Sequence, residues 1–130
     1  MKEIETTAIT EAVKKMCIDS NCFLNGDILN ALEESHKSEI SPIGREMLSQ
    51  IIENAGIARR GHMPICQDTG LAVVFIEIGQ DVHITGGSLK EAVNEGGRRG
   101  YSEGYLRKSV VSDPFIRVNT KDNTPAIIHY

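Results

Sequence analysis

The stretch that decides the fold is RRGHMPICQDTGLAVVFIEI, residues 59–78. Its first half contains Gly61 and Pro64, which interrupt regular helix, and residues 71–78 form an apolar, partly β-branched run that predicts a largely buried strand. The secondary structure therefore changes at this point of the chain. We predict a single α+β domain over residues 1–130, helical in 1–60 and mixed in 61–130.

Three segments before this stretch carry apolar residues at helical spacing. Residues 6–21 predict the first helix, the turn at 25–27 precedes a second, and Ser41 with Pro42 predicts the N-cap and first position of a third. The expected inward face of the third helix consists of Ile43, Met47, Ile51 and Ala55. We expect these helices to form a layer packed on a small mixed sheet.

A fourth helix is predicted between the strands that follow. Ser88 and Glu91 have the spacing of a capping box after Gly86-Gly87. Three glycines lie inside its expected span, at 96, 97 and 100. Because each costs up to ~1 kcal/mol relative to alanine in a helix, either the helix breaks there or another segment approaches its backbone closely. Residues 126–130 predict a last strand, and because the sequence stops within it we expect a piece of a longer subunit.

Composition and charge narrow the class of protein. Of 130 residues, 40% are apolar and 25% charged, and 14 basic against 18 acidic side chains give a formal charge of −4. This balance argues against nonspecific binding to nucleic acid or to an anionic membrane and favours a small-molecule or protein partner. We find no secretory signal and no apolar run that could span a membrane, so we expect a cytoplasmic protein.

The chemically reactive groups concentrate at residues 62–70, where an imidazole, a thiol, an amide, a carboxylate and a hydroxyl fall within nine residues. Cys66 could be a nucleophile, a metal ligand or a buried apolar side chain. Asp68 could act in catalysis or cap the turn before Gly70. Cys17 and Cys22 lack a second ligand pair at zinc-finger spacing, and an odd number of cysteines argues against a disulfide framework.

Several motifs together resemble one known family. They are MPICQDTG at 63–70, ITGG at 84–87, GYLRKS at 104–109, RVNT at 117–120 and DNTPA at 122–126. The chain resembles the iron–sulfur (class I) fumarate hydratases over nearly its whole length. The closer resemblance is to the alpha subunit of the two-subunit form, which is itself similar to the alpha subunit of L(+)-tartrate dehydratase.

The resemblance implies reversible addition of water across a dicarboxylate double bond, assisted by a [4Fe–4S] cluster that three cysteines hold and whose fourth iron is open to substrate. It implies that Cys66 is one cluster ligand and that Gln67 donates hydrogen bonds to a substrate carboxylate. Asp68 would orient the substrate hydroxyl or move the proton at C3. Arg107 would pair with the distal carboxylate, although an arginine here could also be merely solvated.

The resemblance also implies missing parts. The other two cluster ligands of the family follow the motif, whereas Cys17 and Cys22 precede it, so neither is assigned as a ligand. We therefore expect a fumarate–malate hydro-lyase fragment that neither retains the cluster nor turns over alone. Its expected partners are the rest of the alpha subunit and a beta subunit, in an oligomer. The alternatives are a tartrate dehydratase alpha fragment or a noncatalytic binding or assembly module.

Overall fold

A computed structural model describes residues 2–66 and 70–130. The elements in chain order are β1 Lys2–Glu5, α1 Thr6–Cys22, α2 Gly26–Ser38, α3 Pro42–Gly61, β2 Val73–Phe75, β3 Val82–Thr85, α4 Leu89–Glu103 and β4 Ile127–His129. The predicted α+β class is confirmed, with three helices between β1 and β2 and a fourth between β3 and β4. None of the helices in these described ranges is long and apolar enough to cross a membrane.

The chain divides into two compact units. The first combines residues 1–18 with residues 68–130, and the second consists of residues 19–67.

The strands of the first unit form two parallel pairs where we expected one mixed sheet. β1 pairs with β3, with Lys2 opposite Val82, and β2 pairs with β4, with Val73 opposite Ile127. The sequence predicted no strand before α1, and the strand predicted at 71–78 is regular only over β2. In both pairs one strand is near an end of the chain and its partner lies far along the sequence.

The core of the first unit lies between α1, α4 and the strands. Its buried cluster consists of Val13, Cys17, Ala72, Val93, Tyr101 and Leu106. Burying such apolar side chains contributes about 25 cal/mol per Å² removed from water. A buried hydrogen bond from Thr10 Oγ1 to the Ala92 carbonyl, 3.1 Å, also joins α1 to α4.

Glycines let α4 approach α1 at backbone contact. A β-carbon built on Gly96 would lie 2.6 Å from the Thr10 carbonyl oxygen and 2.7 Å from Val13 Cβ. One built on Gly100 would lie 2.7 Å from Cys17 Cβ. The helix runs unbroken through these positions, so close approach is the correct one of the two alternatives that the glycines left open.

The second unit contains α2 and α3. Ser41 caps α3 as predicted, because its side chain accepts a hydrogen bond from the Gly44 amide at 3.3 Å. The predicted inward face of α3 is wrong for Ile43, Met47 and Ile51, which are 76%, 56% and 48% exposed. Ala55 is buried as expected. The apolar residues do recur on one side of α3, but most of them are exposed among the residues that the structure describes.

Candidate functional site

Cys66 lies just beyond the end of α3, in the second unit. His62 ends the helix in the left-handed conformation, with φ 49° and ψ 44°, and its amide donates to the Ala58 carbonyl. The Met63 amide donates to the same carbonyl at 3.2 Å. These bonds are typical of a helix C-terminus, where a left-handed residue turns the chain sharply. The turn directs residues 63–66 away from the helix axis.

Two hydrogen bonds fix the backbone next to the thiol. The Cys66 amide donates to Asn54 Oδ1, 2.9 Å away on α3, and the Ile65 amide donates to the Asn21 carbonyl at 2.8 Å. Ile65 itself is buried, whereas Cys66 is exposed. The structure thus holds the backbone of Cys66 at an anchored position and leaves its thiol accessible.

An aromatic and cationic cluster supports the same turn. The rings of Phe23 and His62 meet edge to face with centroids 5.6 Å apart, and the Arg59 guanidinium lies 5.6 Å from the Phe23 centroid. Arg59 Nη2 also donates to the Leu24 carbonyl at 3.0 Å. Edge-on ring contacts and cation–π contacts each stabilise by roughly 0.5–1 kcal/mol at such sites. The end of α3 is therefore tied to the segment that follows α1.

The three cysteines differ in their suitability as metal ligands. Burial raises the pKa of the Cys17 thiol, and burial together with Asp19 raises that of Cys22, which disfavours the thiolate form of both. Iron–sulfur clusters are held by cysteine sulfur, and the sulfur of Cys66 is accessible because the residue is exposed on an anchored turn. Among the described residues, no three His, Cys, Asp or Glu side chains form a metal-binding group. The exposed thiol of Cys66 thus fits the chemistry of one ligand position, and the described residues do not form a complete ligand set.

Arg107 lies in the first unit, in the segment that follows α4. It is outside the helix, which ends at Glu103, and its side chain is exposed. Leu106 and Val110, on either side of it, are buried at 3% and 5% exposure. Arg107 is thus carried on a short segment that is anchored at both ends.

Asn123 holds the Arg107 segment through its side chain. Its Oδ1 accepts from the Ser109 amide at 2.7 Å and from the Val110 amide at 2.9 Å, and its Nδ2 donates to the Gly70 carbonyl at 3.1 Å. Asn123 is 1% exposed. Gly70 is the last residue of the Cys66–Gly70 motif. The buried side-chain amide of Asn123 therefore connects the end of that motif to the segment that follows Arg107.

The neighbouring Asp122 is an electrostatic anchor of the same turn. Partial burial raises its pKa, but hydrogen bonds from the Thr124 hydroxyl and amide and from Arg98 outweigh burial and lower the pKa to about 2. Arg98 Nε lies 3.0 Å from Asp122 Oδ2. The turn that contains Asn123 is therefore tied to α4 by an ion pair.

The predicted site residues fall into different parts of the chain. Cys66 belongs to the second unit and Arg107 to the first, and each is held by its own local contacts. Gln67 and Asp68 lie outside the described residues. Asn54 and Asn123 were missed by sequence reasoning, because their partners are 12 or more residues away in the chain.

Comparison with known proteins places the chain in a family. A family model described as "Fumarate hydratase (Fumerase)" matches residues 10–130, and the chain belongs to that family. It is 37% identical over 116 residues, 88% of this chain and 40% of the relative, to the Methanocaldococcus jannaschii protein named "Putative L(+)-tartrate dehydratase subunit alpha". It is 38% identical over 95 residues, 72% of this chain and 17% of the relative, to the anaerobic class I fumarate hydratase of Escherichia coli K12.

A third relative has lower identity but broad coverage. The L(+)-tartrate dehydratase alpha subunit of Escherichia coli K12 is 27% identical over 126 residues, which are 95% of this chain and 40% of the relative. The chain thus spans less than half the length of these three relatives.

Proposed function

We propose that this chain is part of a [4Fe–4S]-dependent hydro-lyase that reversibly hydrates fumarate to malate. The observation that supports it is the exposed, backbone-anchored thiol of Cys66 in a chain that belongs to the fumarate hydratase family. Cys66 supplies one of the thiolates that hold the cluster. The remainder of the alpha subunit and a beta subunit supply the other ligands and the rest of the site, so the chain is inactive alone.

The residues of this chain bind substrate and move a proton. When bound, the cluster supplies a Lewis acid for the substrate carboxylate and hydroxyl. The Arg107 guanidinium pairs with the distal carboxylate, for which its planar fork of donors is suited. Gln67 donates to the other carboxylate. Asp68 delivers a proton to C3 in hydration and removes it in dehydration, or it orients the hydroxyl that is added at C2.

Tartrate is the second candidate substrate. Two of the relatives compared above are named as L(+)-tartrate dehydratase alpha subunits, each matched over 40% of its length. Gln67, Asp68 and Arg107 would have the same roles with tartrate. Tartrate is also a dicarboxylate, and it loses a hydroxyl and the proton of the adjacent carbon. A noncatalytic binding or assembly module is the remaining alternative.

Anaerobic reconstitution with iron and sulfide tests the proposal. We expect no stable brown chromophore and no turnover from the 130-residue chain, and both from the complete alpha–beta complex, assayed separately with fumarate and with tartrate. Turnover by the chain alone would refute the proposal that the other cluster ligands come from outside these 130 residues. A complete complex that takes up iron but acts on neither acid would favour the binding module.

Two variants of the complete complex separate the roles of adjacent residues. Cys66→Ala should abolish cluster retention, whereas Asp68→Asn should keep the cluster and lose rate. Iron content and the visible spectrum give the first readout, and initial velocity per bound cluster gives the second. Equal loss of cluster from both variants would mean that Asp68 has a structural role.

A further inference from the structure

We propose that Asn123 is a positioning residue for the substrate-binding arginine: it fixes the Arg107 segment to the backbone at Gly70. This inference rests on the proposed function, since it concerns how Arg107 meets a substrate carboxylate. Asn123 is almost fully buried and makes three side-chain hydrogen bonds to backbone groups of two separate segments.

An asparagine is suited to this position for two reasons. Its side chain presents an acceptor and a donor together, so it satisfies two amides with Oδ1 and one carbonyl with Nδ2. Its backbone is left-handed, with φ 60°, a conformation that asparagine adopts more readily than most residues with a β-carbon. Leucine or valine would satisfy neither requirement, and they would leave the part-buried amide of Ser109 and the buried amide of Val110 without this acceptor.

The hydrogen bonds act on the backbone two residues after Arg107. The Arg107 residue is exposed, so the position of the backbone that carries it contributes to the placement of its guanidinium. Leu106 holds one side of that backbone by burial, and Asn123 holds the other through the Ser109 amide. Displacement of a binding group by about 1 Å can lower the rate of an enzyme by roughly 100-fold. Asn123 therefore controls the position of the backbone that carries Arg107.

The test uses two substitutions at Asn123 in the complete alpha–beta complex. Asn123→Gly keeps the left-handed backbone and removes all three side-chain bonds. Asn123→Asp keeps the oxygen that accepts from Ser109 and Val110 but loses the Nδ2 donor. We expect Asn123→Gly to raise the KM for the substrate about 10-fold with little change in kcat. Asn123→Asp should raise it by a smaller factor, about 3-fold, because it keeps the bonds to Ser109 and Val110 and loses only the bond to Gly70.

Amide hydrogen exchange in the 130-residue chain provides a readout that is independent of activity. The Ser109 and Val110 amides should exchange at least about 10-fold faster in Asn123→Gly and near the wild-type rate in Asn123→Asp. Asn94→Ala is the matched control, because Asn94 is also buried and its Oδ1 accepts from the Ala126 amide at 2.9 Å. It should lower stability and leave the KM unchanged.

The outcomes separate this inference from the proposed function. An active wild-type enzyme whose KM is unaffected by Asn123→Gly would overturn the inference alone. A wild-type complex that acts on neither fumarate nor tartrate would overturn the proposed function and the inference with it. If Asn123→Gly does not fold, Asn123→Ser replaces it, because the shorter side chain cannot bond both the Ser109 and Val110 amides and the Gly70 carbonyl. An unchanged KM in Asn123→Ser would then overturn the inference.

Discussion

Replacing single glycines of α4 with alanine should change stability in opposite directions at adjacent positions. A β-carbon on Gly96 would lie 2.6 Å from the Thr10 carbonyl oxygen and 2.7 Å from Val13 Cβ. A β-carbon on Gly97 would have no neighbour within 4 Å. The two residues share a helix and differ mainly in what their added methyl group meets. They therefore form a matched pair.

The magnitudes follow from two opposing contributions. Alanine stabilises the interior of a helix by about 1 kcal/mol relative to glycine, and this applies at both positions. At Gly96 the added methyl group overpacks the interface with α1, which costs up to about 3 kcal/mol because one of the atoms it meets belongs to backbone. We expect Gly97→Ala to stabilise by about 0.5–1 kcal/mol and Gly96→Ala to destabilise by about 2 kcal/mol.

Urea unfolding followed by tyrosine fluorescence measures this difference. The three tyrosines, at 101, 105 and 130, all belong to the unit that contains α4, and the chain has no tryptophan. The signal therefore reports that unit. With a slope of about 1.5 kcal/mol per M, the two variants should differ in midpoint by about 2 M urea.

Equal midpoints for the two variants would refute the close approach of α4 to α1. A second glycine checks the same contact, because a β-carbon on Gly100 would lie 2.7 Å from Cys17 Cβ and 3.0 Å from the Lys14 carbonyl oxygen. Gly100→Ala should therefore behave like Gly96→Ala. If it were as stable as Gly97→Ala, the contact would be confined to one turn of the helix.

Three further predictions address the site and its anchors. Asn54→Ala should speed hydrogen exchange of the Cys66 amide at least about 10-fold, whereas Asn54→Asp should keep it slow because the aspartate retains an acceptor. Equal exchange rates in the two variants would show that the hydrogen bond does not protect this amide. Asp122 has a folded pKa of about 2 against 3.8 for the free group, so its stabilisation is complete above about pH 4 and is lost as the pH falls toward 2. The unfolding free energies of wild type and Asp122→Asn should thus differ by about 1–2 kcal/mol at pH 6, allowing for solvent screening, and converge near pH 2 in urea titrations; a constant difference would contradict the ion pair with α4. Arg107→Lys should raise the KM of the complete complex about 10-fold by losing bidentate pairing, with Arg117→Lys as the control; the same KM in both would remove Arg107 from the substrate site.

Local signals predicted the helices well. Ser41 and Pro42 set the start of α3 because capping depends on residues within one turn. The strand β1 was missed because its sequence, KEIE, has little strand propensity and is stabilised by β3, some 80 residues away. Helical periodicity showed which face of α3 is apolar, but burial also requires a partner, which spacing does not specify. Ile43 and Met47 are exposed for that reason.

From the sequence, we selected groups that could react and assigned no role to the groups that hold their backbone. Cys66 and Arg107 were chosen as candidates because thiols and guanidinium groups within a recognisable motif indicate chemistry. Asn123 lies in the DNTPA motif but was given no role, because an asparagine does not by itself indicate chemistry. The roles of Asn54 and Asn123 are apparent only from their hydrogen bonds in the structure, which reach backbone amides 12 or more residues away in the chain.

The backbone next to each of the two described candidate residues, Cys66 and Arg107, is held in the same way. An exposed functional side chain gains no fixed position from burial, so the backbone beneath it must be held instead. At Cys66 the Asn54 carboxamide holds that backbone, and next to Arg107 the Asn123 carboxamide does so. A neutral amide suits this task because it pairs with backbone groups without adding a charge beside the exposed side chain. Substitutions at these asparagines should therefore alter the placement of the site while leaving the apolar core of the first unit intact.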